Sequence, residues 1–60
     1  MSIQPGTVIR VTPYKDTQRP YPTETVTFLH TYAHSDIPGE EFVAIDPNGN
    51  RVAYRYNDID

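Results

Sequence analysis

The stretch EFVAIDPNGNRVAYRY, residues 41–56, predicts two β-strands joined by a tight turn. Each position of the turn Asp46-Pro47-Asn48-Gly49 carries a suitable residue type. The Asp46 side chain can accept hydrogen bonds from the turn backbone, Pro47 presets φ, and Gly49 takes a positive φ without steric cost. This combination is typical of a type I turn followed by a glycine bulge. The turn therefore defines a hairpin whose register can be derived.

The geometry of the turn sets four opposing pairs across the hairpin: Glu41 with Arg55, Phe42 with Tyr54, Ala44 with Val52, and Asp46 with Asn50. Strand side chains alternate between faces, so one uncharged face is predicted to be the core: Phe42, Ala44, Val52, Tyr54 and Tyr56. The opposite face has charges at both ends and an apolar middle of Val43, Ile45 and Ala53. If that face is exposed, Val43 and Ile45 form a patch for a partner or a second protomer, whereas strong coiling of the strands would partly bury both faces.

Length and composition set limits on the class of protein. The chain has 60 residues, no cysteine and a formal net charge of -3, with its five basic residues scattered. One domain spanning residues 1–60 is expected, without disulfides or thiolate metal sites. The absence of a basic excess disfavours nucleic-acid binding. No apolar run approaches the ~20 residues that span a bilayer, and the first residues lack the features of a signal peptide, so a cytoplasmic location is expected.

The rest of the chain consists of β-rich segments separated by turn-forming ones. β-branched and aromatic residues predict strands at 7–12 and 24–33, and proline-rich or polar residues predict loops at 13–23 and 34–40. The final residues, 57–60, are too few for more than a 3₁₀ turn. The fold class is therefore all-β, and a small, strongly bent barrel is expected because closure removes exposed strand edges.

Four segments carry a resemblance to a known family: the first strand GTVIRV (6–11), the proline-rich loop 13–23, the tight turn 46–49, and the ending YRYNDI (54–59). Their order resembles SH3-like small barrels, the group that includes SH3, KOW and Tudor-like domains. The resemblance implies a barrel of about five short antiparallel strands with a long first loop and a C-terminal 3₁₀ turn that returns Ile59 to the core. The chain lacks the tryptophan and ALYDY-type motif of SH3 domains and the basic, glycine-rich start of KOW modules. The resemblance therefore implies a fold and does not imply a ligand.

Catalytic and metal chemistry have little support in the sequence. His30 and His34, with Asp36 nearby, are the only candidate metal ligands, but four residues of extended strand place the two histidines ~13 Å apart. There is no cysteine nucleophile, phosphate-binding glycine loop or nucleophile elbow. We therefore expect neither an enzyme nor a cofactor or metal site.

The tyrosines are the more informative residues. Tyrosine combines a large rigid contact surface with a polar tip and is enriched at protein interfaces. The sequence thus predicts a non-enzymatic protein-interaction or regulatory module, of the kind used as viral or bacterial accessory factors, with these partner-binding residues: Tyr14, Arg19, Tyr21, Tyr32 and Tyr56. The alternative explanation for the tyrosines is that they cover the open ends of a small barrel.

Two further functions remain open at this stage. The first is nucleic-acid binding through Arg10, Arg51, Arg55 and stacked tyrosines, which requires the fold to gather these arginines locally. The second is a small structural subunit that forms a homodimer or joins a larger assembly through Val43 and Ile45.

Overall fold

The fold is built from four short strands in sequence order. The computed structural model describes residues 3–32, 36–37 and 40–60. The strands are β1 (Val8–Val11), β2 (Glu24–Thr31), β3 (Phe42–Ile45) and β4 (Arg51–Tyr54), followed by a 3₁₀ turn at Tyr56–Asp58. They form one antiparallel sheet in the order β1-β2-β3-β4. The predicted all-β class is confirmed. No helix among the described residues is long and apolar enough to span a bilayer.

The hairpin of β3 and β4 has the predicted turn and register. The Gly49 N–H donates to the Asp46 carbonyl at 3.0 Å, and Gly49 has a φ of 85°. Oδ1 of Asp46 accepts hydrogen bonds from the backbone N–H groups of Asn48 and Asn50, at 2.9 and 2.8 Å. The turn is therefore held by the aspartate side chain and the glycine conformation, as the residue types predicted.

The core lies on one side of the sheet, with residues from all four strands: Val11, Val26, Phe28, Phe42, Ala44 and Tyr54. Two residues predicted to be in the core are exposed instead, Val52 at 37% and Tyr56 at 40%. Val52 lies near the turn on an outer strand that has a neighbour on one side only. Tyr56 belongs to the 3₁₀ turn, so strand alternation no longer sets its direction, although its ring still packs 5.0 Å from that of Phe42. The core assignment is wrong for these two residues and correct for the other three.

The second face of the hairpin is partly covered as well. Val43 is buried, at 7% exposure, and Ile45 is half-buried. Both faces of β3 are therefore at least partly covered, and Val43 offers little surface to a second protomer.

One hydrogen bond shows how strongly the sheet coils. The Tyr54 hydroxyl donates to Oε1 of Glu24 at 2.6 Å. Tyr54 pairs with Phe42, which pairs with Thr31, and Thr31 and Glu24 are opposite ends of the eight-residue β2. In a flat sheet those two ends would lie about 23 Å apart, beyond the reach of two side chains. The bulge in β2 between Phe28 and His30 adds to the bend.

The C-terminal residues return to the first strand. Ile59 forms an isolated antiparallel bridge with Val11 and packs against the core, as predicted. The Asp60 N–H donates to the Arg10 carbonyl at 2.9 Å, and the Thr12 N–H donates to the Asp58 carbonyl at 2.8 Å. The part of the chain that the structure describes thus has four strands in an open sheet and this bridge, rather than the five strands of the predicted barrel, and β1 and β4 are not paired there.

Candidate functional site

The long first loop, residues 12–23, folds back on itself. The Tyr21 N–H donates to the Pro13 carbonyl at 2.9 Å, which brings the two ends of the loop together. At the tip, Thr17 donates to the Tyr14 carbonyl twice, from its N–H at 3.0 Å and from its hydroxyl at 2.7 Å. Because of these bonds, Tyr14 and Tyr21 become neighbours although they are seven positions apart in sequence.

Tyr14 has an unusual backbone conformation. Its φ is 58°, the one positive φ of a non-glycine residue among the described residues. The left-handed region costs an L-residue about 1–2 kcal/mol. Strained residues of this kind persist where surrounding contacts enforce them, and they cluster at functional sites. Here the two hydrogen bonds from Thr17 provide the enforcing contacts.

The side chains of Tyr14 and Tyr21 form an exposed aromatic pair. Their ring centroids are 5.3 Å apart with an interplanar angle of 55°, and the residues are 51% and 60% exposed. Cζ of Arg55 lies 5.6 Å from the centroid of the Tyr14 ring, within the range of a cation–π contact. The pair is thus supported from one side by Arg55 and open to solvent on the other.

Arg55 joins the first loop to the 3₁₀ turn through two carboxylates. Its Nη2 lies 2.8 Å from Oδ1 of Asp16 and 2.6 Å from Oδ1 of the buried Asp58, and its Nε donates to Oδ2 of Asp58 at 3.2 Å. The hydrogen bond to Asp58 and then that to Asp16 raise the pKa of Arg55. The hydrogen bond from Arg55 lowers the pKa of Asp16 below its ordinary value. The loop is further fixed by Lys15, whose Nζ donates to the Ile59 carbonyl at 3.0 Å.

The predicted surface pair of Glu41 with Arg55 is wrong. Arg55 turns to Asp16 and Asp58, while Oε1 of Glu41 accepts a hydrogen bond from the Tyr56 N–H at 3.0 Å. The chain leaves strand geometry after Tyr54, so the alternation that would place Arg55 opposite Glu41 ends one residue too early.

A groove of ≈ 730 Å³ runs beside the aromatic pair, and we call it the tyrosine groove. Its lining combines aromatic, aliphatic and charged side chains, among them Tyr14, Tyr21, Glu24, Val52, Tyr54 and Arg55. Burial, followed by the hydrogen bond to Glu24, raises the pKa of the Tyr54 hydroxyl above its ordinary value. The hydroxyl therefore remains a donor to Glu24 across the physiological range.

The five predicted partner-binding residues fall in different places. Tyr14 and Tyr21 share the tyrosine groove. Tyr56 lines a second groove of ≈ 870 Å³ together with residues from both ends of the chain, and we call this the terminal groove. Tyr32, 41% exposed, follows β2, where its N–H donates to the Glu41 carbonyl at 2.9 Å. Arg19 is exposed in the first loop, and its N–H donates to the Thr17 hydroxyl at 3.3 Å. The structure therefore brings together two of the five.

The arginines of the nucleic-acid hypothesis lie on different elements of the fold. Arg10 lies on β1 and Arg51 on β4, the first and last strands of the sheet order. Arg55 is neutralised by Asp16 and Asp58.

The histidines take no shared position in the described structure. Nδ1 of His30 lies 2.9 Å from the Thr31 carbonyl oxygen, and His34 lies outside the described residues. Within residues 3–32, 36–37 and 40–60, no group of three or more potential ligands is placed to hold a metal ion.

Sequence reasoning missed Asp16, Glu24 and Asp58 as parts of the site. Arg55 and Asp58 are three residues apart around a 3₁₀ turn, whose three-residue period places them on the same side, so this pair had a local signal. Glu24 had no local signal of this kind, because its contact with Tyr54 depends on the coiling of the whole sheet.

Comparisons of the chain with family models, with curated proteins and with solved structures find no match. The geometry of the site is therefore the basis on which a function is proposed.

Proposed function

We propose that this protein is a non-enzymatic docking module that binds a partner protein through the tyrosine groove. The observation that carries the proposal is the exposed Tyr14–Tyr21 pair at the edge of a groove of ≈ 730 Å³. Aromatic side chains of this type supply much of the contact energy at protein interfaces. An accessory or regulatory role in the cytoplasm is part of the proposal.

The organisation of the first loop supports a binding role. Its tip carries the strained Tyr14 backbone and is fastened to the body of the domain by Asp16 and Lys15. A loop ordered before binding loses less conformational freedom on association, so more of the contact energy appears as affinity. The loop is thus arranged as a preformed surface rather than as a connection between strands.

We further propose that the fold is a small SH3-like barrel. Two contacts made by late residues of the chain support it: the bridge from Ile59 to Val11 of β1 and the hydrogen bond from Tyr54 to Glu24 of β2. Both connect late residues of the chain with the β1–β2 side of the sheet, as barrel closure requires.

The alternatives have less support. Nucleic-acid binding needs accessible cations, and Arg55 is already paired with two carboxylates. A homodimer through Val43 and Ile45 needs an exposed apolar face, and Val43 is buried within its own chain.

Capture of partners by the immobilised protein, from the cells in which it occurs naturally, tests the docking proposal. Replacing both Tyr14 and Tyr21 by alanine should abolish capture and leave the fold intact, because both rings lie outside the core cluster. The matched control is Val8→Ser, which alters a residue 63% exposed on β1 and away from the groove. Undiminished capture by a folded double variant would remove the tyrosine groove as the site. Circular dichroism and proton NMR spectra establish that each variant is folded.

A further inference from the structure

The charges of the chain are distributed unevenly. The described residues lining the tyrosine groove include four carboxylates and one guanidinium: Glu24, Glu40, Asp46, Asp58 and Arg55. Their formal net charge of three negative charges equals the net charge of the whole chain, -3. The other four acidic residues are matched by four basic residues elsewhere in the sequence. The entire charge excess of the protein thus lies at this one groove.

The hydrogen bonds of the groove leave its negative charge in place. Glu24 accepts from the neutral Tyr54 hydroxyl, and Asp46 accepts from neutral backbone N–H groups. The guanidinium of Arg55 is shared between Asp58 and Asp16. Glu24, Glu40 and Asp46 are half-buried. Negative charges that line a cleft focus the electrostatic field into it.

From this distribution we infer that the tyrosine groove takes a positively charged, arginine-rich segment of a partner protein. A guanidinium can form charge-assisted hydrogen bonds with carboxylates and can also stack on an exposed tyrosine ring. The groove offers both, because Tyr21 is 60% exposed beside the carboxylates. The same charge distribution repels a phosphate backbone. The inference rests on the proposed docking function and adds the chemistry of the ligand.

NMR titration of the ¹⁵N-labelled protein with synthetic peptides tests the inference. The probes are an arginine-rich peptide in a glycine–serine background and the same peptide with every arginine replaced by glutamine or by glutamate. We expect the arginine peptide alone to shift amide signals of groove residues such as Tyr14, Tyr21 and Ala53. We expect its affinity to fall when ionic strength is raised from about 0.01 to 0.15 M, since the Debye length then shortens from ~30 to ~8 Å.

Two variants locate the charges that matter. Glu40→Gln combined with Asp46→Asn removes two groove charges while keeping hydrogen-bond acceptors at both positions. We expect about fivefold to tenfold weaker binding of the arginine peptide, the change for losing two partly exposed ion pairs. Asp60→Asn, in the terminal groove, is the matched control and should bind like the unmodified protein. Equal binding of the three peptides, shifts spread away from the groove, or unchanged affinity in the double variant would overturn the inference.

The experiments distinguish a failure of this inference from a failure of the docking proposal. If a partner is captured through Tyr14 and Tyr21 but capture is unaffected by Glu40→Gln with Asp46→Asn, docking stands and the basic ligand is refuted. If the arginine peptide binds in the groove while the double Tyr14 and Tyr21 variant still captures its partners, the preference of the groove for a basic ligand stands and the two tyrosines are refuted as the docking contacts.

Discussion

Replacing Tyr54 by phenylalanine removes the hydroxyl that connects β4 to the far end of β2. The bond it makes is short, 2.6 Å to Oε1 of Glu24, and it joins residues thirty positions apart in sequence. The ring itself is almost fully buried, at 4% exposure, and phenylalanine retains its packing. The substitution therefore isolates the polar contact that depends on the coiling of the sheet.

The expected magnitude follows from the environment of the two groups. Hydrogen bonds to charged acceptors contribute about 1.5–3 kcal/mol to the free energy of unfolding. Glu24 is half-buried, so water partly replaces the lost donor, and we expect a coupling energy of about 1–2 kcal/mol. A domain of 60 residues has a total stability of roughly 3–9 kcal/mol. The loss should lower the melting temperature by about 4–8 °C per kcal/mol.

A double-mutant cycle measures this coupling directly. The four proteins are the unmodified chain, Tyr54→Phe, Glu24→Ala and the double variant, each unfolded by urea at neutral pH. The Glu24→Ala change also alters strand propensity, but that contribution cancels in the cycle. Additivity within ~0.3–0.5 kcal/mol would show that the two side chains do not interact, and the coiled geometry derived from this contact would be wrong.

The pH dependence of the free energy of unfolding is a second test of the contact between Tyr54 and Glu24. The folded pKa of Tyr54 is raised by burial and by its bond to Glu24, so the contribution of the hydroxyl is fully present below the unfolded value of about 10. It is lost as the pH rises through the folded value. The stability difference between the unmodified protein and Tyr54→Phe should therefore shrink above pH ~10. A difference that stays constant into that range would contradict the raised pKa.

Four further predictions follow from single residues. Phe42→Ala should cost about 3–5 kcal/mol, comparable to the whole stability, whereas Phe42→Leu should remain folded in a urea titration. Gly49→Ala should cost about 1–2 kcal/mol because φ is 85° there, measured by thermal unfolding. Tyr14→Gly should be about 1 kcal/mol more stable than Tyr14→Ala, since both lose the ring and only alanine keeps the backbone strain; equal melting temperatures would contradict this. The bond from Arg55 lowers the pKa of Asp16, so loop anchoring should be present above pH ~4 and lost on further acidification. NMR signals of the loop would report this loss of anchoring, and the pH-dependent change in these signals should be absent from Asp16→Asn.

The hairpin was predictable because its information is local. Asp46 and Gly49 satisfy the turn by their own chemistry, and the period of two along β3 and β4 then assigns the faces. The same alternation could not assign Val52, because it gives the direction of a side chain and not how much structure covers it. It failed at Arg55 and Tyr56 because the chain changes from a strand to a 3₁₀ turn immediately after Tyr54.

The site was predictable only in part. The exposed tyrosines of the first loop follow from a proline-rich segment that cannot join a continuous ladder. The carboxylates of the groove could not be assigned from sequence, because Glu24, Glu40 and Asp46 belong to separate segments that only the coiled sheet brings together. Likewise, the left-handed backbone at Tyr14 has no residue-type signal, since tyrosine does not favour that conformation.

The terminal groove bears on how the domain can be attached to other molecules. Ile3 and Gln4 line it together with Ile59 and Asp60, so the two ends of the described chain emerge side by side. A domain with adjacent ends can be inserted into a surface loop of a host protein with little distortion. The point of attachment then lies at the terminal groove, whose lining does not include Tyr14 or Tyr21, so an inserted or fused copy presents this aromatic pair to solvent.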